Sequence, residues 1–137
     1  MEKSKRYMVG NLVLINNKVH KIIIITDTEV TAKNVESGYL SVHPYSDIKD
    51  IPLDDEFFRV NEYHISEPHT EGDKLVYHII ANDYFGPAIT KYEPKFPNIR
   101  DEVEYCITGI IIRTVDEFQN LMNICHCQNI ADKIIAG

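Results

Sequence analysis

The sequence contains no tryptophan and only three cysteines among 137 residues, and its longest uninterrupted aliphatic run is four residues. A transmembrane helix needs about 20 consecutive apolar residues, so the sequence predicts none. Three cysteines cannot all pair within one chain, which argues against a disulfide scaffold and for a reducing compartment. The first ten residues also lack the apolar segment of a signal peptide. We therefore expect a soluble cytoplasmic protein with no membrane partner.

Basic residues are scarce as well, and the formal net charge is −7. Residues 1–46 carry six basic and four acidic side chains, residues 47–73 two and nine, and residues 74–137 six and eight. The stretch 47–73 therefore has a net charge of −7 by itself, and a field of that sign repels phosphate backbones. We expect no nucleic-acid partner and, at this stretch, a protein partner with a basic surface.

A short basic arm opposes this acidity at the N-terminus. It carries Lys3, Lys5 and Arg6, which could contact a phosphate. Short basic termini are usually frayed and solvated, so we expect a solvated arm.

Motifs of catalysis are missing. The sequence has no G-x-S-x-G, no P-loop, no G-x-G-x-x-G and no H-E-x-x-H. We therefore predict a non-enzymatic interaction or accessory module, with no catalytic, cofactor-binding or metal-binding residues. The alternative is a small hydrolase or metal-dependent enzyme that uses the polar 61–73 loop, where His64, Glu67, His69 and Glu71 lie. That loop has no recognisable nucleophile motif beside it.

A second candidate for metal binding is the run Cys125-His126-Cys127 together with Cys106. Thiolates and imidazoles are the ligands of structural zinc sites. On a helix, however, residues 125 and 127 would lie about 200° apart around the axis, and the chain has no C-x-x-C pair. We expect free thiols instead, with Cys106 buried in a strand.

The N-terminal part is organised around Asn11 to Thr26. Two apolar runs, Leu12–Ile15 and Val19–Ile25, flank Asn16-Asn17. Asn tolerates the positive φ of a two-residue hairpin turn, so the pattern predicts a β-hairpin. Four consecutive isoleucines in the second arm predict a central strand that is covered on both faces.

Two further strands are predicted, at Glu29–Val35 and from Tyr39 to Val42, where His43-Pro44 ends the second. Four short strands with tight turns are typical of a small curled antiparallel sheet of the SH3-like kind. The sequence therefore predicts an SH3-like β lobe over residues 8–53 of a single domain.

The rest of the chain, residues 54–137, is predicted to form an α+β lobe with a second antiparallel sheet. Asp54 is a good N-cap for a short helix from Asp55 to about Val60, with Leu53 and Phe58 spaced as a hydrophobic staple. After the 61–73 loop, strands are predicted at three places: Lys74–Ala81, Phe85–Tyr92 and Val103–Arg113, the last with Gly109 as a bulge.

The last predicted element is a helix over residues 115–126 that packs on the second sheet. Thr114 to Glu117 form a capping box. One apolar stripe follows at three- and four-residue spacing, and its members are Val115, Phe118, Leu121, Met122 and Cys125. We place Gln119 on the opposite face. Residues 128–135 either extend this helix or form a terminal strand or turn.

Five tyrosines have two open interpretations. They are Tyr39, Tyr45, Tyr63, Tyr84 and Tyr92. Aromatic loop residues of SH3-like barrels bind peptides, which favours a recognition surface. Tyrosine also buries its ring and wets only its hydroxyl, which favours packing at the rim of the barrel.

Four segments of the sequence, taken in order, resemble a family of small uncharacterised proteins of gut anaerobic bacteria and their prophages. The segments are VGNLV, NNKVHKI, SDIKDIPLDDEFF and VDEFQNLMNIC. In that family a G-N-x-V strand and an N-G-K-like turn lead to a D-I-x-P-I-P-L segment, and an E-L-Q-N-L helix closes the chain. The resemblance covers both ends and the centre but not residues 61–112.

Matching positions fall in the first strand, its turn, the central segment and the closing helix. They are Gly10, Asn11, Val13, Lys18, Asp47, Ile48, Ile51, Pro52, Leu53, Glu117, Gln119, Asn120 and Leu121. The sequence departs from the family pattern at Asn17, Asp50, Asp116 and His126-Cys127. The resemblance implies an α+β fold with an SH3-like N-terminal sheet and a gene of a prophage or other mobile element. It implies no activity.

Overall fold

A computed structural model of the chain describes residues 6–81, 87–96 and 103–124. The described chain is mostly antiparallel β-sheet with two α-helices and a short 3-10 helix. It divides into two compact units, the first with residues 6–52 and 114–124 and the second with residues 53–81, 87–96 and 103–113. Predictions for Lys3, Lys5, Tyr84, Cys125, His126, Cys127 and residues 128–135 lie outside the described residues.

The first unit contains a five-stranded sheet that is curved into a half-barrel, with strand order β4-β3-β2-β1-β5. Its strands are β1 (Leu12–Ile15), β2 (Lys18–Ile25), β3 (Glu29–Asn34), β4 (Leu40–Pro44) and β5 (Ile48–Lys49). The 3-10 helix Tyr45–Asp47 separates β4 from β5.

The predicted hairpin is confirmed. Asn16 and Asn17 have φ angles of 53° and 61°, and Ile15 pairs with Lys18 across the turn. β2 lies in the centre of the sheet, as its isoleucine run predicts. The prediction that both of its faces are covered is wrong, because Ile24 is 53% exposed. An irregularity in the pairing with β3 between Ile22 and Ile24 shifts the alternation, and Ile22 is fully buried.

The concave face of this sheet carries the core of the first unit. The core residues share complete or nearly complete burial, and they are Tyr7, Val13, Ile15, Ile22, Val30, Ala32 and Ile48. Ile25 and Tyr45 pack against this cluster from its margin.

The closing helix, α2 (Val115–Ile124), also belongs to the first unit, whereas the sequence analysis placed it in the second lobe. Hydrogen bonds of a polar side chain connect this helix to the first unit. Gln119 accepts a hydrogen bond from the Leu12 amide at 2.9 Å and donates one to the Gly10 carbonyl at 3.1 Å. Val115, Phe118 and Met122 of the predicted stripe are buried, whereas Leu121 is only partly buried. Gln119 is buried beside them, so its predicted position on the opposite face is wrong.

The second unit begins with α1 (Asp55–Val60), where the Asp54 side chain accepts from the Phe57 amide as the predicted N-cap. A six-stranded sheet follows, in the order β11-β10-β9-β8-β6, with β7 also paired to β8. Its strands are β6 (Tyr63–Ile65), β7 (His69–Glu71), β8 (Lys74–Ala81), β9 (Ile89–Pro94), β10 (Glu104–Ile107) and β11 (Ile110–Ile112).

Three predictions in this unit need correction. The 61–73 stretch is not only a loop, because it contributes β6 and β7. The strand predicted at Phe85–Tyr92 runs instead from Ile89 to Pro94 within the described residues. The single long strand predicted at Val103–Arg113 is a hairpin, because Thr108 and Gly109 both have positive φ and turn the chain back at Ile107–Ile110.

Candidate functional site

The four polar residues proposed for an enzymatic loop are all exposed. His69 stacks on His78 of β8 with ring centroids 5.4 Å apart, and its Nε2 lies 3.7 Å from a Glu71 carboxylate oxygen. His64 lies on β6 opposite Ile80. Within residues 6–81, 87–96 and 103–124, no three His, Cys, Asp or Glu side chains converge in a way that could hold a metal ion.

Cys106 lies on β10 and is partly exposed, so its predicted burial is wrong. Burial of the thiol still raises its pKa, and the nearby Glu104 carboxylate adds to the effect. A raised pKa reduces the thiolate fraction at neutral pH and with it the reactivity of the group.

The described tyrosines are divided between the two interpretations. Tyr63 is buried in the second unit, and Tyr45 packs on the first core while its hydroxyl donates to the Thr26 carbonyl at 2.6 Å. Tyr39 is 79% exposed at the turn between β3 and β4. Tyr92 lies on β9 and is partly buried. Of these four tyrosines, Tyr39 is therefore the one that is mostly exposed to solvent.

Arg6 is not a solvated arm residue, and that prediction is wrong for it. Its guanidinium donates to both carboxylate oxygens of Asp116, at 3.0 and 3.3 Å, to Asp50 at 2.9 Å and to the Thr114 hydroxyl at 2.9 Å. The Asp116 side chain is fully buried. Burial raises the pKa of the Asp116 carboxyl, and contacts with Thr114 and Arg6 offset this only in part.

This cluster has a structural role. Asn120 accepts a hydrogen bond from Asn11 at 2.8 Å and donates one to the Arg6 carbonyl at 3.3 Å. Together with Gln119, it fastens the segment before β1 to α2. Because Arg6 is paired with two carboxylates, its own guanidinium has little remaining charge for a phosphate.

A second polar cluster lies in the second unit. The Asp55 carboxylate accepts from Lys91 Nζ at 2.8 Å and from the Tyr105 hydroxyl at 2.7 Å. Lys91 also lies over the Tyr77 ring, 4.6 Å from its centroid. Burial alone would raise the pKa of Asp55, but these two hydrogen bonds and the Lys91 charge hold it below its usual value. The cluster joins α1 to the sheet.

The outer face of the first sheet has a different character. Residues on this face follow from the register, in which Ile24 pairs with Thr31 and Thr31 with Val42. Ile24 is 53% exposed and Val42 57%. Leu40, two positions before Val42, is 63% exposed, so this face carries three large apolar side chains in contact with water.

Among the residues that the structure describes, β4 is also an edge strand, because the sheet order ends with it. The Asn34 amide donates to the Tyr39 carbonyl at 2.9 Å, so this is a hydrogen-bonded pair. Bonded and non-bonded pairs alternate in an antiparallel ladder, so the next bonded pairs are Ala32 with Ser41 and Val30 with His43. The amides and carbonyls of Leu40 and Val42 therefore point away from β3.

Side chains on the inner face hold β4 in place. The Ser41 hydroxyl and His43 Nε2 share a hydrogen bond of 2.6 Å, and the His43 ring meets the His20 ring edge-on at 5.9 Å. Nδ1 of His20 donates to the Lys18 carbonyl at 2.8 Å. The edge is thus supported from within, and its outward backbone groups are presented in a defined geometry.

Sequence reasoning found β4 but not its importance. The alternation of Leu40 and Val42 with Ser41 and His43 is visible in the sequence, and it marks one apolar and one polar face. The sequence does not show the strand order that places β4 at the edge. It also does not show that the apolar face of β4 lies on the outer side of the sheet.

Comparison with protein-family models, curated proteins and solved structures finds no match to the chain. In the part of the chain that the structure describes, no helix has the length and apolar character to cross a membrane.

Proposed function

We propose that the chain is a non-enzymatic protein-interaction module that binds an extended peptide segment by adding it as a strand to β4. The observation that carries the proposal is the edge itself. Leu40 and Val42 offer two outward amides and two outward carbonyls beside exposed apolar side chains. Strand addition uses main-chain hydrogen bonds for affinity and alternate side chains for specificity.

The fold supports this proposal. We infer an SH3-like barrel for the first unit from a four-strand meander, a short 3-10 helix and a fifth strand that returns to β1. Proteins usually protect an open edge with charges, because an unprotected one pairs with other chains. β4 has no charged residue, and Pro44 is its last position. An edge of this kind suits a partner.

The setting of the module is also a proposal. The resemblance to prophage-borne proteins and the scarcity of cysteine support an accessory role in the cytoplasm of a bacterium. The acid-rich stretch 47–73 supports a basic surface on a larger partner, although Asp50 and Asp55 are already paired with Arg6 and Lys91.

The test uses heptapeptides selected from a random displayed library on the purified chain. Val42→Pro removes one outward amide, and proline is tolerated on edges where the amide faces solvent. Val42→Thr is the matched control, because it keeps the amide and the strand propensity. We expect selected peptides to bind Val42→Thr within a few-fold of wild type and Val42→Pro at least about tenfold more weakly, about 1.4 kcal/mol.

Hydrogen exchange gives an independent readout. A bound strand should slow exchange of the Leu40 and Val42 amides, while the Ser41 amide, already directed to β3, should change little. Binding that is equal in the two Val42 variants, or that leaves both outward amides unprotected, would overturn the proposal.

A second candidate function, the small hydrolase or metal-dependent enzyme, has the stacked pair His69–His78 and the nearby Glu71 as its side chains, although these do not converge as a metal-binding group among the described residues. Imidazole and carboxylate ligands suit zinc. Metal analysis of the purified protein tests it, and stoichiometric zinc lost in His69→Ala would favour it over the interaction module.

A further inference from the structure

The outer face beside β4 carries two lysines that oppose each other. Lys21 of β2 and Lys33 of β3 are Cα partners, and both are exposed. Like charges directly opposite on neighbouring strands destabilise a sheet. In the described chain, neither ammonium forms an ion pair with a carboxylate, although Lys18 nearby pairs with Glu36 at 3.9 Å. The fold thus keeps an unfavourable pair without local compensation.

The position of Lys33 relates this pair to the free edge. Lys33 pairs with Leu40, so it lies one strand in from the edge. A strand added to β4 would lie about 10 Å from β3, since neighbouring strands are about 4.8 Å apart. A lysine and a glutamate side chain together span about that distance, whereas Lys21 lies one strand further away. Repulsion from Lys21 also favours Lys33 conformations that lean towards β4.

The register of β2, β3 and β4 then determines which side chains a bound strand would meet. The row of Leu40 and Lys33 is followed, two residues along β4, by the row of Val42, Thr31 and Ile24. The first row ends in a positive charge behind an apolar residue, and the second row is apolar at both ends. On this face, a strand bound beside β4 would therefore have the Lys33 ammonium near one of its side chains. The side chain two residues further along would lie near an apolar surface.

We propose that the segment bound at β4 is an extended peptide with an acidic side chain and an apolar side chain two residues apart on the same face. The acidic residue pairs with Lys33, and the apolar residue packs on Val42. This inference rests on the proposed function, and it identifies the partner by its charge. It also distinguishes the site from the acid-rich stretch 47–73, which favours a basic surface.

The experiment selects random heptapeptides on three proteins: wild type, Lys33→Glu and Lys21→Gln. On wild type we expect enrichment of Glu or Asp two positions from Val, Ile or Leu. On Lys33→Glu the acidic residue should be replaced by Lys or Arg, because the partner charge is reversed. Lys21→Gln is the matched control, and we expect it to keep the acidic preference because Lys21 is out of reach.

A double-mutant cycle measures the pair directly. Replacing the acidic residue of a selected peptide by Gln should weaken binding to wild type about two- to five-fold, the range of an exposed ion pair. The same change should have no effect on Lys33→Gln if the two groups interact. The coupling should shrink as salt is raised.

Failure of the inference and failure of the proposed function give different results. Selected peptides that depend on the outward Val42 amide but show no acidic preference would overturn the inference and leave strand addition intact. Peptides whose binding is unaffected by Val42→Pro would overturn strand addition itself. A concentration-dependent dimer in sedimentation that Val42→Pro dissociates would overturn the inference in another way, because the occupant would be a second copy of the chain.

Discussion

At the scale of single residues, buried polar side chains connect parts of the fold that are distant in sequence. Gln119 is 5% exposed and bonds the backbone of the segment that enters β1 with both ends of its amide. A buried amide that loses its partner costs about 1–3 kcal/mol. Such residues therefore stabilise the fold through hydrogen bonds, although they are polar and buried.

The first prediction follows for Gln119→Ala. We expect a loss of about 1–3 kcal/mol in the free energy of unfolding, because the Leu12 amide and the Gly10 carbonyl lose their partner. Ile124→Ala, on the same helix and 72% exposed, is the control and should change stability by less than about 0.5 kcal/mol. Denaturant melts measure both, and equal small effects would contradict the fastening role of Gln119.

The second prediction concerns acid and Asp55. Its folded pKa lies below its usual value, so the unfolded chain binds the proton more readily and stability rises with pH through this window. The contribution is fully present above the unfolded value of about 4 and is lost as pH falls through the folded pKa. Asp55→Asn lacks this titration and should lose less stability between neutral and acidic pH than wild type.

Titration of Asp116 does not affect the comparison between the pH profiles of wild type and Asp55→Asn. Its raised folded pKa gives the opposite sign, since the folded chain then binds the proton more readily and loses stability as pH rises. Both proteins carry Asp116, so its effect cancels in the difference between their pH profiles. Parallel profiles of wild type and Asp55→Asn in denaturant melts would show that Asp55 is not stabilised in its charged form.

At the scale of elements, turn chemistry decided what the sequence could predict. The pair Asn16-Asn17 predicted the hairpin correctly because asparagine is one of the few residues that accept positive φ. Thr108-Gly109 forms an equivalent turn, with φ angles of 49° and 84°, yet threonine is β-branched and disfavours this conformation. The sequence therefore favoured a bulged single strand where the fold makes two strands.

The third prediction tests that strain with two substitutions of opposite sign. Thr108→Asn should raise the free energy of unfolding by about 1 kcal/mol, because asparagine enters the left-handed region more readily. Gly109→Ala should lower it by about 1–2 kcal/mol. A Cβ at Gly109 would meet no atom within 4 Å, so its effect reports the backbone alone. Thermal melts in which both variants behave like wild type would contradict the turn geometry.

The closing helix shows the same limit of sequence reasoning. Its start at Val115 and three members of its buried face were predicted from capping and periodicity, whereas its predicted end lies outside the described residues. Gln119 follows Val115 by four residues, a spacing that indicates the same face. Polarity led to the opposite assignment. Which sheet a helix packs on depends on long-range partners such as Gly10 and Leu12, which no local pattern reveals.

At the scale of the whole molecule, the basic side chains of the first unit differ in whether they are paired with carboxylates. The N-terminal Arg6 is neutralised by Asp50 and Asp116, whereas Lys21 and Lys33 keep their charge on an apolar face. The overall formal charge is −7. The outer face beside the β4 edge is thus a small positive and apolar surface on an acidic protein. It could not be predicted from the sequence, because it depends on the strand order.

The last prediction is that the protein is not retained on a polyanion column at physiological salt. Two exposed lysines release few counterions, so their attraction to a phosphate chain is weak and falls quickly with salt. The acidic stretch 47–73 adds repulsion, which is screened only beyond about 8 Å. Lys21→Glu combined with Lys33→Glu is the control and, like wild type, should pass through the column without retention. Retention of wild type that disappears in this double variant would contradict the prediction, because it would mean that the lysine pair binds phosphates.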